Sequence, residues 1–259
     1  MSVIRTDEWL LDSYYHPIQL CEKLSAYFKR ASGSELYQYL TLHGMYRPYR
    51  QGEAQVKAMQ KNKVWDVVAK DEAYLQKKWG GPNVPIYIFP ADVRNSKVQR
   101  EFNGKSGLAY KDKLFLFISE HNSEDDIRAL LTHEYNHVCR LEKSHKKEED
   151  YVLLDTVILE GLAENAVRER FGEEFQAKWT SYYRDDELQH MWDAVIRPNR
   201  HMKKSEPRHQ DLLYGIGPKF PNMLGYCVGY YLVRNFIEET GLTSKELLRK
   251  EAEAIALIS

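Results

Sequence analysis

The chain has 259 residues, 43% of them hydrophobic, enough to bury a sizeable core as one large domain or as two lobes sharing a cleft. With 37 basic and 38 acidic residues its formal net charge is −1, and no basic stripe interleaved with aromatics appears, which argues against an electrostatic nucleic-acid binder. Three widely spaced cysteines, Cys21, Cys139 and Cys227, fit neither a disulfide framework nor a metal-binding spacing and read as buried free thiols in a reducing compartment.

The N-terminal stretch MSVIRTDEWLLDSYYHP carries acids early and does not read as a signal peptide. Nowhere is there the apolar run of about 18 residues that a membrane span needs. A cytoplasmic protein is expected. Residues 17 to 79 alternate apolar and charged side chains at helical spacing, with breaks at Gly33 and from Gly44 to Gly52, which predicts about three helices. From 84 to 119 the texture changes to short runs rich in Ile, Tyr and Phe (VPIYIF, SGLAY, KLFLFIS), the one convincing β region. Helical spacing returns beyond 122, with the main turns at GPNVP, ISEHN and GIGPKFPNMLG. The charge run EKSHKKEED (142 to 150) reads as a solvated connector.

Within EDDIRALLTHEYNHVCR, Ser123 and Asp126 fit a capping box, and Glu124, Asp125 and Asp126 suit the positive end of a helix dipole. At about 100° per residue, Ile127, Leu130, Leu131, Val138 and Leu141 share one stripe, with Glu134 near its centre. His133 and His137 lie on one ridge at its edge. A carboxylate there costs several kcal/mol of desolvation unless something compensates it. The plainer alternative is a salt-bridged glutamate beside two ordinary core histidines.

The next helix, YVLLDTVILEGLAENAVRERF, ends at Gly172, the expected C-terminal cap. Leu153, Val157, Val167 and Phe171 form one face, and Glu160 and Glu164 lie within it, about 40° apart. One buried cation facing both helices accounts for all these misplaced polar groups. Catalytic zinc takes three protein ligands and keeps a fourth position for water, and two imidazoles plus a carboxylate is a known set. His133, His137 and Glu160 are then the ligands of one Zn²⁺ per chain. Glu134 is the carboxylate that takes the water's proton and later delivers it to the leaving amine. Glu164, one turn past Glu160, is placed to hold a ligand histidine through its second ring nitrogen; an ion pair with Arg168 is the alternative.

HEYNH followed after 22 residues by Glu160 resembles the glutamate-ligand branch of the zincin metallopeptidases, whose signature is HExxH. The combination HEYNHVCR, ILEGLAENAV and LGYCVGYYLV resembles the bacterial YjaZ-like family of predicted Zn-dependent proteases along most of the chain. That resemblance implies a zincin-like fold and a peptidase of the gluzincin type, with the ligands matching His133, His137 and Glu160 and the catalytic carboxylate matching Glu134. In related glutamate-ligand zincins a downstream tyrosine stabilises the oxyanion, which points to Tyr226, with Tyr230, Tyr214 and His209 as rivals. An edge strand should pair with an extended peptide substrate, and NGKSGLAY (103 to 110) or KLFLFIS can supply it. The glycines of the first would let a backbone approach closely; a simple turn is the commoner reading. The stretch RPNRHMKKSEPRH (197 to 209) reads as a basic surface loop.

The expected fold is α+β, a single zincin-like domain that is mostly helical, with a small antiparallel or mixed sheet before the HExxH helix. Residues 1–120 form one lobe and 121–259 the metal-site and C-terminal helices. The partner is a peptide or protein substrate; neither nucleic acid nor membrane is expected. Two other classes compete. A di-iron carboxylate bundle would use the pairs Glu134 to His137 and Glu187 to His190, but leaves His133 and the strands without a role. A non-catalytic zinc-binding or interaction protein has no need of Glu134 beside an open metal position.

Overall fold

The computed structural model describes residues 2–28, 31–95, 104–144 and 146–257. The chain divides into two compact units, Met1–Tyr135 and Asn136–Ser259. In the first unit, α1 (Thr6–Ser13), α2 (Pro17–Glu22), α3 (Gly33–Leu42), α4 (Gly52–Lys61) and α5 (Val64–Trp79) precede β1 (Ile86–Pro90), β2 (Ser106–Ala109) and β3 (Leu114–Ile118). Among the described residues between 17 and 79 there are thus four α-helices rather than about three, and α1 lies ahead of them. Gly33 does not break a helix. It opens α3 behind Ser32, whose hydroxyl accepts the Glu35 N–H while the Glu35 carboxylate accepts the Ser32 N–H. The unforeseen division between α4 and α5 falls at Lys63, which takes φ 55° with no glycine to announce it.

The sheet has the order β1-β3-β2, with β1 parallel and β2 antiparallel to β3. It is therefore mixed. Every residue of β1 and β3 is buried, which explains their unbroken apolar runs IYIFP and LFLFI. On its outer side β1 is covered at both ends: Ile86 N donates to Ser2 O at 2.9 Å, and Tyr46 N donates to Pro90 O at 2.9 Å. KLFLFIS is the central strand, so of the two candidate edge segments only the one containing β2 lies at an edge. Asn103, the first residue of that segment, lies outside the described residues.

The long helix α6 (Glu124–Lys143) contributes its residues up to Tyr135 to the first unit and the rest to the second. It starts as expected: Ser123 Oγ accepts the Asp126 N–H at 3.1 Å and Asp126 Oδ2 accepts the Ser123 N–H at 3.0 Å. Arg128 ties its first turns to Asp71 of α5 at 3.2 Å. Tyr135 stacks on Trp79 and donates its hydroxyl to Pro82 O at 2.8 Å.

The second unit holds α7 (Leu153–Phe171), α8 (Asp185–Met191), α9 (Pro207–Tyr214), α10 (Leu224–Thr240), α11 (Ser244–Leu247) and α12 (Ala252–Ile255). α7 is its core. From Leu153 to Val167 it is buried on nearly every side, so its apolar residues do not form the single face that helical spacing suggests. It ends at Gly172, whose φ of +84° suits glycine. α10 crosses α7 at a pair of glycines: a Cβ on Gly161 would meet Gly229 O at 2.2 Å, and one on Gly229 would meet Val157 O at 2.0 Å. The segment 197–209 is not a free loop, because Lys203 bridges to Val152 and Met202 O accepts the Leu153 N–H at 2.8 Å. Arg140 of α6, 9% exposed, donates to the carbonyls of Leu247 (3.4 Å) and Leu248 (3.1 Å).

All three cysteines are free and buried, and burial pushes the Cys21 and Cys227 thiols up to about 12, which leaves them protonated and unreactive. Among the described residues, no helix is long and apolar enough to cross a membrane. The glycine crossing gives a direct test of the packing around α7. Gly229→Leu should lower the free energy of unfolding by about 3 kcal/mol, because the clash is with backbone and cannot relax by a side-chain rotation. A urea titration reads this; a loss below about 1 kcal/mol would show that the helices do not approach so closely.

Candidate metal centre

From Ala129 to Leu141 every residue of α6 is buried except His133. That imidazole is the one opening in an otherwise closed stretch of helix. One turn on, His137 is 7% exposed, and its Nε2 lies 3.5 Å from Glu160 Oε2 of α7. One ligand atom from each of His133, His137 and Glu160 can be chosen so that all lie within 4.8 Å of one another. It is the one such group of three or more His, Cys, Asp or Glu side chains among the described residues.

The donor set fits zinc. Tetrahedral ligands bonded at about 2.0–2.1 Å stand roughly 3.3 Å apart, close to the His137 to Glu160 separation, and two imidazoles with one carboxylate match the metal's preference. His133 and Glu160 are partly exposed while His137 is buried, so solvent reaches one side of the group.

Glu134, 7% exposed, follows His133 on the helix and turns toward the sheet. It packs against β2, where a Cβ on Gly107 would lie 2.5 Å from its Cγ and Cδ and 2.6 Å from its Oε1. The one glycine of this strand, Gly107, is a place of close approach rather than a turn. What approaches Gly107 is the glutamate of the motif itself. The sequence does not show this pairing, since nothing in the spacing of residues 107 and 134 signals it.

Glu164 is 3% exposed, and its Oε1 accepts the Ala177 N–H at 2.6 Å. It fastens the short helical segment after α7 that carries Trp179. The alternative partner, Arg168, pairs with Glu238 at 3.1 Å. Tyr226 of α10 donates its hydroxyl to the Tyr214 hydroxyl at 3.4 Å and sets its ring edge-on to Trp179, so two of the candidate tyrosines form one cluster. Tyr230 donates to Gln176 Oε1 at 3.2 Å. His209 is wholly buried, with Nε2 at 3.3 Å from Thr156 Oγ1, which removes it from contact with a substrate. Glu187 Oε2 accepts the Arg184 N–H at 2.9 Å as a helix cap and His190 is exposed, an arrangement unlike a di-iron half-site.

With the helices, sheet and His/His/Glu group in view, the family is established: the chain belongs to the family described as Predicted Zn-dependent protease (DUF2268), whose model matches residues 64–257. It is similar to two proteins of Bacillus subtilis (strain 168). One is the uncharacterized protein YjaZ, 38% identical over 258 residues that cover 98% of this chain and 97% of the relative. The other is the uncharacterized protein YjfC, 25% identical over 178 residues, 65% of this chain and 58% of the relative. No solved structure matches this chain.

His209 makes stability depend on pH in a stated direction. Burial, with a smaller contribution from Lys204, lowers its pKa below the ordinary histidine value, so the folded chain holds it neutral. The unfolded chain takes up that proton first as pH falls through about 6.5. Stability is therefore full above that pH and declines below it. His209→Gln should show a smaller fall in urea midpoint between pH 7.5 and 5.5 than the wild type; equal falls would exclude His209 as the cause.

Proposed function

We propose that this protein is a zinc-dependent peptidase with a zincin-like fold, of the glutamate-ligand type, acting on peptide or protein substrates in the cytoplasm. The observation that carries the reading is that one ligand atom from each of His133, His137 and Glu160 lies within 4.8 Å of the others, with the buried Glu134 next to His133 in the chain. The order of elements supports it too: a small mixed sheet, then the HExxH helix, then the helix with Glu160.

His133, His137 and Glu160 would hold one zinc ion. When bound, zinc lowers the pKa of water from 15.7 to about 7, which makes a hydroxide nucleophile available at neutral pH. Glu134 accepts the proton of the attacking water and returns it to the amine nitrogen as the peptide bond breaks. β2, as an edge strand, pairs with the extended substrate backbone and aligns the scissile carbonyl. Tyr226 supplies the hydroxyl that stabilises the oxyanion. Glu164 steadies the ligand group from the turn beyond Glu160.

Metal analysis of the purified protein should give one zinc per chain, and two irons would overturn the reading. His133→Ala should lose most of that zinc in a competition with a chromophoric chelator; full retention would take His133 out of the ligand set. Glu134→Gln should keep both zinc and fold while peptide hydrolysis falls by about three to four powers of ten. Unchanged turnover would dismiss Glu134 as the base.

A further inference from the structure

Gly107 has no conformational reason to be glycine. It is not among the residues with positive φ, and it sits in regular antiparallel register opposite Leu116. A glycine inside a strand costs roughly 0.5–1 kcal/mol relative to alanine. Its neighbours in the strand point the other way, as Ser106 does when its hydroxyl donates to His43 O at 2.8 Å. What Gly107 does have is Glu134 in the space a methyl would occupy, at 2.5 Å from Cγ and Cδ. Glu134 is 7% exposed, so it has little open solvent into which to swing aside.

We infer that Gly107 is a positioning residue for Glu134: the bare backbone of the edge strand forms the seat that holds the carboxylate in one place. This rests on the peptidase reading, in which Glu134 moves the proton, and adds to it the residue that sets where that carboxylate stands. A free glutamate side chain carries about 1.5–2 kcal/mol of rotamer entropy, and packing against β2 removes that freedom before substrate arrives. The same contact fixes the distance between the carboxylate and the strand that pairs with substrate. A substrate registered on β2 is thereby registered on Glu134.

The test is Gly107→Ala, assayed on a peptide substrate with the zinc-loaded full chain. Displacing a reacting group by about 1 Å can cost about 100-fold, so kcat should fall by that order with KM changed less than threefold. Zinc content should stay at the wild-type level, and a crystal structure should show the Glu134 carboxylate moved by about 1 Å with both histidines in place. In a Glu134→Ala background, adding Gly107→Ala should cost nothing further, because the seat is then empty. If Gly107→Ala does not fold, the double variant should, since the methyl then has room; failure of both would overturn the inference. So would a wild-type kcat in Gly107→Ala, or a Glu134 carboxylate that has not moved in the structure of that variant. The two proposals separate cleanly: turnover surviving Glu134→Gln defeats the peptidase mechanism, while turnover lost in Glu134→Gln but kept in Gly107→Ala defeats only the positioning role.

Discussion

The desolvation of polar groups along α6 is the constraint on which the rest of the structure depends. Thirteen consecutive positions, Ala129 to Leu141, are closed to solvent except at His133, yet they include Glu134, Asn136, His137 and Arg140. An ordinary core helix would carry Leu or Val there. Each buried ionised group costs several kcal/mol unless charge or hydrogen bonds offset it. Glu160 of α7 stands 3.5 Å from His137, and the glycine crossing beside it brings α10 so close that α7 has little freedom to move. A divalent ion shared by His133, His137 and Glu160 would offset much of the cost of gathering these groups.

The sheet answers a different need. Five-residue strands buried on both faces are unusual for so small a sheet, and β1 is closed further by the chain at Ser2–Ile4 and Gly44–Tyr46. β2, at the other edge of the sheet, is the shortest and least buried strand. Glu134 is packed against that strand. Strand and carboxylate are thus coupled by contact in the first unit, independently of any ion.

Much of this is legible in the sequence where a local rule applies. Ser123 with Asp126 announces the start of α6, Gly172 the end of α7, and the runs IYIF and LFLFI the two buried strands. The candidate metal group is legible because polar residues at helical spacing on an apolar face violate a strong rule, and two helices violate it in succession. The family resemblance drawn from HEYNHVCR, ILEGLAENAV and LGYCVGYYLV is borne out. What escapes is non-local or lacks a marker. Lys63 turns the chain in a left-handed conformation that Gly or Asn would have advertised. Periodicity makes α7 look one-faced because it cannot distinguish an amphipathic helix from one enclosed on all sides by later segments. The basic stretch 197–209 looks solvated, yet its backbone is tied to the start of α7. The contact of Gly107 with Glu134 joins residues with no common period, so only the folded backbone reveals it.

Arg140 lies one turn beyond His137 and donates to the carbonyls of Leu247 and Leu248. A guanidinium so enclosed tolerates poorly the loss of its acceptors, since its buried N–H groups would then lack hydrogen-bond partners. The residues from Leu247 onward are therefore no dispensable tail. Clipping them, by proteolysis or a premature stop, would strike the helix that carries His137 from its far end.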